Sequence, residues 1–453
     1  MKPWRIALLA LVTAALGAYL YFFELPKAER ESAKKKLLDV SADAVTGLTL
    51  TFPDREIELE KADGHWRLVR PIAAPADDTA VSTVVSTIVG SEVQKTIDEL
   101  PKNLADFGLE KPDPLVRVVA GERTLPEVKF GRTTAVGGKA YAQRGDEPTI
   151  LLVPSSIRFG LDKQVDDLRD KRLVDFKDDA VTKVTITRGN QVVALTKTKD
   201  DDWTVDPGGH PADLTEVRSY LSSLRSTRAL GFADDAPADL ATYGLDAPQL
   251  RVALYTGGDT PAQELLIGGD TTEKDQKRLY AKRADRPGVV TVGEWTMRSL
   301  DKTVGQLRDK TLLAFDAADV GRIALERSDG QGFVAIRGEG AAWTIEGGGT
   351  ARSAVLQRFV DDTRDLRGSD VAAEPAGDLV AFGLDAPALR ITVTGKDGKE
   401  IGTLLVAKHG DKYFAMRAGG STVFETRDYM YTRLDKKRAD VVETPPAPDT
   451  PAP

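Results

Sequence analysis

From Val45 onward apolar and polar positions alternate: Val45, Leu48, Leu50 and Phe52, then Ile57 and Leu59, an Asp63-Gly64 pair, then Trp66 and Leu68. A period of two broken by Asp-Gly predicts a meander of antiparallel strands. After Pro71 and Pro75 the period changes. Asp77 stands as an N-cap, and Val81, Val84, Val85 and Ile88 fall on the i, i+3, i+4, i+7 stripe of an amphipathic helix. Burying four such side chains contributes at most about 6–12 kcal/mol before entropy is subtracted, enough to hold the helix on a sheet. Four more strand-like runs follow, at Val116–Val119, Val128–Phe130, Tyr141–Gln143 and Ile150–Val153. A last stripe, Leu161, Val165 and Leu168, predicts a closing helix that ends at Arg169-Asp170-Lys171.

The same pattern is written three times. Phe107-Gly108-Leu109-Glu110-Lys111-Pro112 returns as Tyr243-Gly244-Leu245-Asp246-Ala247-Pro248 and as Phe382-Gly383-Leu384-Asp385-Ala386-Pro387. Each is preceded by a lone tryptophan, Trp66, Trp203 or Trp343, at offsets of 42, 41 and 40 positions from the glycine. The helix stripe recurs as Val217, Tyr220, Leu221 and Leu224, and as Leu356, Phe359 and Val360. The four strand runs recur at Val252–Tyr255, Leu265–Ile267, Tyr280–Lys282 and Val289–Val292, and at Ile391–Val393, Leu404–Val406, Tyr413–Met416 and Val423–Phe424. The closing stripe returns as Leu300, Val304 and Leu307; in the third copy it reads as abbreviated, ending at Leu434-Asp435-Lys436-Lys437. In the repeated element, Gly permits a positive φ and Pro pushes the residue before it toward extended backbone, so a folding corner is expected.

A period near 135 residues is too long for a solenoid and long enough for self-sufficient domains. The expected fold class is therefore α+β: three tandem modules, each mainly antiparallel β with two helices, behind one N-terminal transmembrane helix. The modules are placed at 41–173, 174–312 and 313–441, with a disordered Pro-rich tail at 442–453.

Residues 6–23 carry no charge and would span ~27 Å as a helix, close to the ~30 Å hydrocarbon core. Trp4 lies at one end and Tyr19, Tyr21, Phe22 and Phe23 at the other, as in an aromatic belt. A cleavable signal fits less well, because bulky aromatics follow the passable site at Ala15-Leu16-Gly17-Ala18. The expectation is an uncleaved single span contacting membrane lipid through residues 6–23, with a short cytoplasmic tail (1–5) and the bulk of the chain outside. A charged helical stalk is expected at 24–40.

Composition narrows the chemistry. The net charge of −8 argues against a nucleic-acid partner. There is no cysteine, which removes disulfides, thiolate nucleophiles and Cys-containing zinc sites. His65 is matched by Asp202 and Ala342 in the other copies, and His210 and His409 lie in Gly-flanked segments read as loops. No two histidines share a helix face, so each reads as a solvated loop residue.

Adjacent pairs such as Asp77-Asp78, Asp166-Asp167, Asp234-Asp235 and Asp361-Asp362 do not form the opposed carboxylates of a glycosidase. Asp200-Asp201-Asp202 lacks the Gly and distal Glu of a calcium loop. Gly338-Glu339-Gly340 meets Trp343 where a third Gly is needed, and Gly347-Gly348-Gly349 lacks the Lys of a phosphate loop. Ser32-Ala33-Lys34-Lys35 falls on the stalk without the downstream motifs of a penicillin-binding site. No catalytic, cofactor or metal residue is expected, and the landmarks Trp66, Gly108, Pro112, Trp203, Gly244, Pro248, Trp343, Gly383 and Pro387 read as structural.

The N-terminal span, the strand ending Asp63-Gly64-His65-Trp66, the helix and Phe107-Gly108-Leu109-x-x-Pro112 together resemble the bacterial domain of unknown function 4340 family, from residue 1 to about 440. The resemblance implies an inner-membrane envelope protein, periplasmic in bulk, often encoded beside ABC-transporter subunits of the gliding-motility type. ABC-transporter permease or accessory subunits are the partners it implies. No catalytic residues come with it. A binding module for cell-wall glycan or another envelope ligand, using the three repeat tryptophans or the loops near them, is the alternative.

Overall fold

The computed structural model describes residues 36–97, 103–199, 202–273, 275–339 and 342–443. The expected span at 6–23, most of the stalk, Ser32 to Lys35, Asp200-Asp201, Gly340 and nearly all of the Pro-rich tail lie outside the described residues. Among the described residues no helix is long and apolar enough to cross a membrane.

The first sheet is built from β1 (Val45–Thr51), β2 (Glu56–Ala62), β3 (His65–Arg70), β4 (Ala74–Pro75), β5 (Lys95–Ile97), β6 (Leu115–Ala120), β7 (Arg123–Thr124), β8 (Val128–Thr133), β9 (Lys139–Arg144) and β10 (Ile150–Pro154). The second uses β11 (Lys183–Arg188), β12 (Gln191–Lys197), β13 (Trp203–Asp206), β14 (His210–Pro211), β15 (Gly231–Asp234), β16 (Leu250–Tyr255), β17 (Gln263–Glu273), β18 (Gln276–Arg283) and β19 (Val289–Gly293). The third uses β20 (Val320–Arg327), β21 (Phe333–Arg337), β22 (Trp343–Ile345), β23 (Asp370–Ala373), β24 (Leu389–Gly395), β25 (Glu400–His409), β26 (Lys412–Arg417) and β27 (Val423–Thr426).

The strand orders match, except that the third sheet has no counterpart of β4 and β14. They run β4-β3-β2-β1-β6-β8-β9-β10-β5, β14-β13-β12-β11-β16-β17-β18-β19-β15 and β22-β21-β20-β24-β25-β26-β27-β23, with β7 beside β6. In each, the first strand of the copy pairs antiparallel with the strand after the repeated corner: Leu50 with Val116, Ile186 with Val252, Leu325 with Ile391. The two meanders of each copy therefore close into one sheet around that pairing.

A twelve-residue helix follows the tryptophan strand in every copy: α1 (Asp78–Val89), α2 (Leu214–Arg225) and α3 (Ser353–Arg364). Asp77 and Asp213 cap the first two by accepting from backbone N–H groups two and three residues on. The buried faces hold Val81, Val84, Val85 and Ile88, then Val217, Tyr220, Leu221 and Leu224, then Leu356, Phe359 and Val360. The period-3.6 stripe expected from the sequence is thus the face laid on the sheet.

Three expectations need correction. The closing helix is two short helices, Ser155–Leu161 then Val165–Leu168 in copy one, and Glu294–Leu300 then Val304–Leu307 in copy two. The chain leaves helical geometry at Asp162 and Asp301 (ψ 86° and 93°). It restarts where a side chain three residues on accepts the N-cap N–H: Asp167 for Gln164, Gln306 for Thr303.

The third copy is not abbreviated, since Asp428–Leu434 and Arg438–Val441 form the same pair. Finally, the end of the expected stalk, 36–40, is not helical, and Leu37 and Leu38 within it are buried. Leu37 and Leu38 join the first core, Leu37 N–H donates to Ser91 O (2.8 Å), and the Lys36 backbone forms an isolated β-bridge with Glu92. Two consecutive leucines that find a core gain more by burial than a solvated helix would give them.

The chain divides into two compact units, residues up to Arg172 with Arg228–Phe232, and Leu173–Thr227 with Ala233 onward.

Candidate functional site

The three tryptophans lie in core strands and are 4, 7 and 4 % exposed at Trp66, Trp203 and Trp343. None offers a ring face to a sugar. Gly108, Gly244 and Gly383 end short 3-10 helices with φ of 72°, 63° and 65°. A Cβ on Gly108 or Gly244 would sit 2.9 Å from the backbone nitrogen of Arg132 or Gly269, so only glycine fits against the neighbouring strand. The following Leu109, Leu245 and Leu384 are buried. The aromatics before the glycines pack edge-on against a strand ring: Phe107 on Tyr141, Tyr243 on Tyr280 and Phe382 on Phe414, with centroids 4.9, 5.0 and 5.1 Å apart. Pro112, Pro248 and Pro387 are half-buried just before the strand that follows. The corner is a folding device in all three copies.

A second repeated device escaped the sequence reading. The first short helix of each closing pair ends in Leu-Asp-Lys: Leu161-Asp162-Lys163, Leu300-Asp301-Lys302 and Leu434-Asp435-Lys436. The aspartate is the C-cap each time, where the partial negative charge of the helix end disfavours an acid. An arginine from the first hairpin answers it: Arg55 binds Asp162, Arg188 binds Asp301, and Arg327 binds Asp435. Arg188 and Arg327 end matching strands, whereas Arg55 reaches the same place from the turn, lying 3.8 Å over the Phe52 ring. The hydrogen bonds Arg327 donates to Asp329 and Asp435 hold it above its ordinary pKa.

Beside these pairs each copy has an open cleft. The first, about 340 Å³, has Phe52, Pro53, Arg55, Arg158 and Phe159 in its wall. The second, about 580 Å³, holds Arg188, Val192, Pro207 and Lys302, and the third, about 690 Å³, holds Arg327, Phe333, Glu346 and Arg438. Phe159 is 66 % exposed at the first. The second and third clefts share their placement on the first hairpin of their copies, the first lies instead against Asp113-Pro114 and the helix end, and the three are the candidate functional surface.

The remaining candidates are accounted for locally. His65 is on a strand, its Nδ1 2.8 Å from Asp78 Oδ2, and Trp66 N–H donates to the other oxygen at 2.7 Å. Burial raises the Asp78 pKa, but those two bonds outweigh it and hold the group low. His210 lies in β14 and His409 ends β25, so neither is in a loop. The run Gly347-Gly348-Gly349 has φ of 82°, 86° and 95° and turns carbonyls inward: Arg438 donates to Glu346 O and Gly348 O, both at 2.8 Å. A phosphate loop presents N–H groups, so this turn has the opposite polarity. Among the described residues no cluster of His, Asp and Glu has metal-binding geometry.

Inside the second unit, copies two and three meet at a charged joint. Arg367 donates to Asp213 Oδ2 (2.7 Å) and Asp309 Oδ1 (2.6 Å), Gly368 N–H donates to Lys310 O (2.9 Å), and Thr311 bridges Arg367. Arg308 binds Glu374, which also accepts from Thr422 Oγ1 at 2.7 Å. The Arg308 bond keeps Glu374 below the usual carboxylate range against the effect of burial, with Thr422 and His210 helping. In the first unit Arg172 bridges Arg228, Ala229 N–H donates to Lys171 O (2.8 Å), and the Arg169 guanidinium lies 3.5 Å over the Phe232 ring.

The family model described as "Domain of unknown function (DUF4340)" matches residues 66–236, 203–362 and 343–448. The chain belongs to this family. Each DUF4340 match opens on a repeat tryptophan, and successive matches overlap across the next tryptophan strand and much of the next long helix. No curated protein matches the chain.

Proposed function

We propose that this DUF4340 protein is a non-enzymatic, membrane-anchored scaffold of the bacterial envelope, working as an accessory subunit of an ABC-type transport system. One observation carries the reading: the charged side chains that recur from copy to copy are engaged in helix ends and joints, as Arg188 is with Asp301 and Arg367 with Asp213. Side chains fixed that way build a spaced platform and do not supply a nucleophile with a base. The uncharged N-terminal run at 6–23 supports the anchor, and the family resemblance supports the transporter partner. The test is in-cell cross-linking of the full chain followed by recovery from membranes. Transporter permease or accessory subunits are expected among the cross-linked partners; their absence from repeated recoveries overturns the reading.

A second reading is a binding module for an envelope ligand. The buried tryptophan rings give it no support, but the clefts do, the first of them flanked by the exposed Phe159. Peptidoglycan sedimentation separates the two, because Phe159→Ala lowers co-sedimentation only if that cleft takes the glycan.

A further inference from the structure

The joint inside the second unit pairs an acid preceding one copy's long helix, Asp213, with an arginine just beyond the end of the next copy's, Arg367. In the first and third copies the positions left without an internal counterpart carry the opposite charges. Arg352 stands immediately before α3, in the place that Asp213 holds before α2. The Glu92 backbone forms an isolated antiparallel β-bridge with Lys36, as that of Arg367 does with Thr311. Both side chains are exposed and among the described residues neither has an ion-pair partner, the Arg352 guanidinium donating one hydrogen bond, to Asp440 O at 3.2 Å.

We propose that the chain associates head to tail with a second copy of itself, Arg352 of one chain meeting Glu92 of the next. This contact repeats the internal joint with its polarity reversed. Mispairing with an internal position is disfavoured, since Arg352 would face an arginine and Glu92 an acid. The third copy keeps a small residue, Ala439, where Gly305 packs so that an added Cβ would lie 3.4 Å from Asp370 Oδ1. Glu443 takes the place of Asp309 and opposes the contact by setting a second acid near Glu92. One exposed ion pair adds little, so the association is weak and weakens further with salt. The contact is heterologous, and therefore extends chain by chain unless it closes into a ring.

Charge reversal tests this directly. Full-length chains are compared by sedimentation equilibrium in density-matched detergent at low ionic strength. The wild-type mass is expected to rise with concentration and to fall back in high salt. Glu92→Arg alone and Arg352→Asp alone are each expected to stay monomeric, while an equimolar mixture of the two regains the wild-type mass. Glu443→Gln is expected to strengthen association. A monomeric wild type, single variants that associate like it, or a mixture that fails to recover would each overturn the proposal. Both substitutions are at exposed positions, and circular dichroism melting of each variant confirms that it is folded before its mass is read.

Discussion

Arg367 Nη2 lies 2.7 Å from Asp213 Oδ2, and through that one contact a residue three positions beyond the third copy's long helix holds the N-cap of the second copy's. Asp213 thus serves two masters, its other oxygen capping α2 through Thr215 N–H at 2.9 Å. Replacing Arg367 with Ala leaves Asp213 and Asp309 facing each other without a cation. A loss of about 1–2 kcal/mol in the stability of this unit is expected, measured by denaturant titration.

The same joint sets an acid limit. Burial pushes the Asp309 carboxyl up, but hydrogen bonds from Thr311 and the Arg367 charge more than offset it, so its folded pKa is depressed. A depressed carboxylate contributes stability that is fully present above its unfolded value near 3.9 and is lost as pH falls through the folded one. Thermal melts of the wild type are expected to fall below about pH 4. In Asp309→Asn that part of the fall should be smaller; an unchanged profile would exclude Asp309 from the joint's energetics.

The helix-end pairs are predicted to respond asymmetrically. Arg188→Ala strands the Asp301 carboxylate against the carbonyl end of its helix, at a cost of about 1–2 kcal/mol. Asp301→Asn removes the acid that the helix end disfavours and leaves only a half-exposed arginine unpaired, so its cost should stay below about 1 kcal/mol. Equal costs in urea titration would mean that the helix terminus is not the reason for the pair.

Glycine substitution at the corners should follow the space available. Gly244→Ala meets the Gly269 nitrogen at 2.9 Å and also strains a φ of 63°. Gly383→Ala has the same strain, at φ 65°, but its nearest neighbour is the His409 ring at 3.4 Å. The left-handed penalty alone is about 1–2 kcal/mol. Gly244→Ala is therefore expected to exceed Gly383→Ala, as read from the shift in melting temperature.

Fluorescence quenching distinguishes the tryptophans. Trp295 is 45 % exposed, against 4–7 % for the three repeat tryptophans. In a background where Trp4 is replaced by Phe, Trp295→Phe should remove most of the iodide-accessible emission.

Much of this fold was legible because its signals are local. The stripe from Val81 to Ile88 and the alternation from Val45 to Leu68 each specify an element within a dozen or so residues, and three copies of each reinforced the reading. What stayed hidden depends on partners far along the chain. Arg55 and Asp162 are 107 positions apart, so nothing near either residue announces the pair. The break in the closing helix was readable, since Thr303 and Gln306 form a capping box, but the apolar stripe runs through it and masks it. The edge strands β5, β15 and β23 were missed because short exposed segments such as Lys95–Ile97 show little alternation. The candidate clefts were invisible for the same reason as the ion pairs, being assembled from a hairpin turn and a helix end distant in sequence.

The phase of the repeat bears on how the protein is cut for study. A fragment trimmed to the second family match, 203–362, discards β11 and β12, baring the edge of β16 that β11 covers. It also retains β20 without the β24 strand it pairs with. Such a piece exposes unsatisfied strand edges and should precipitate, whereas a fragment running from 172 to 312 retains all nine strands of the second sheet. The seam along which the gene product is best divided therefore runs through the Lys-x-Leu steps at Lys171 and Lys310, about thirty residues upstream of the tryptophans that make the family recognisable.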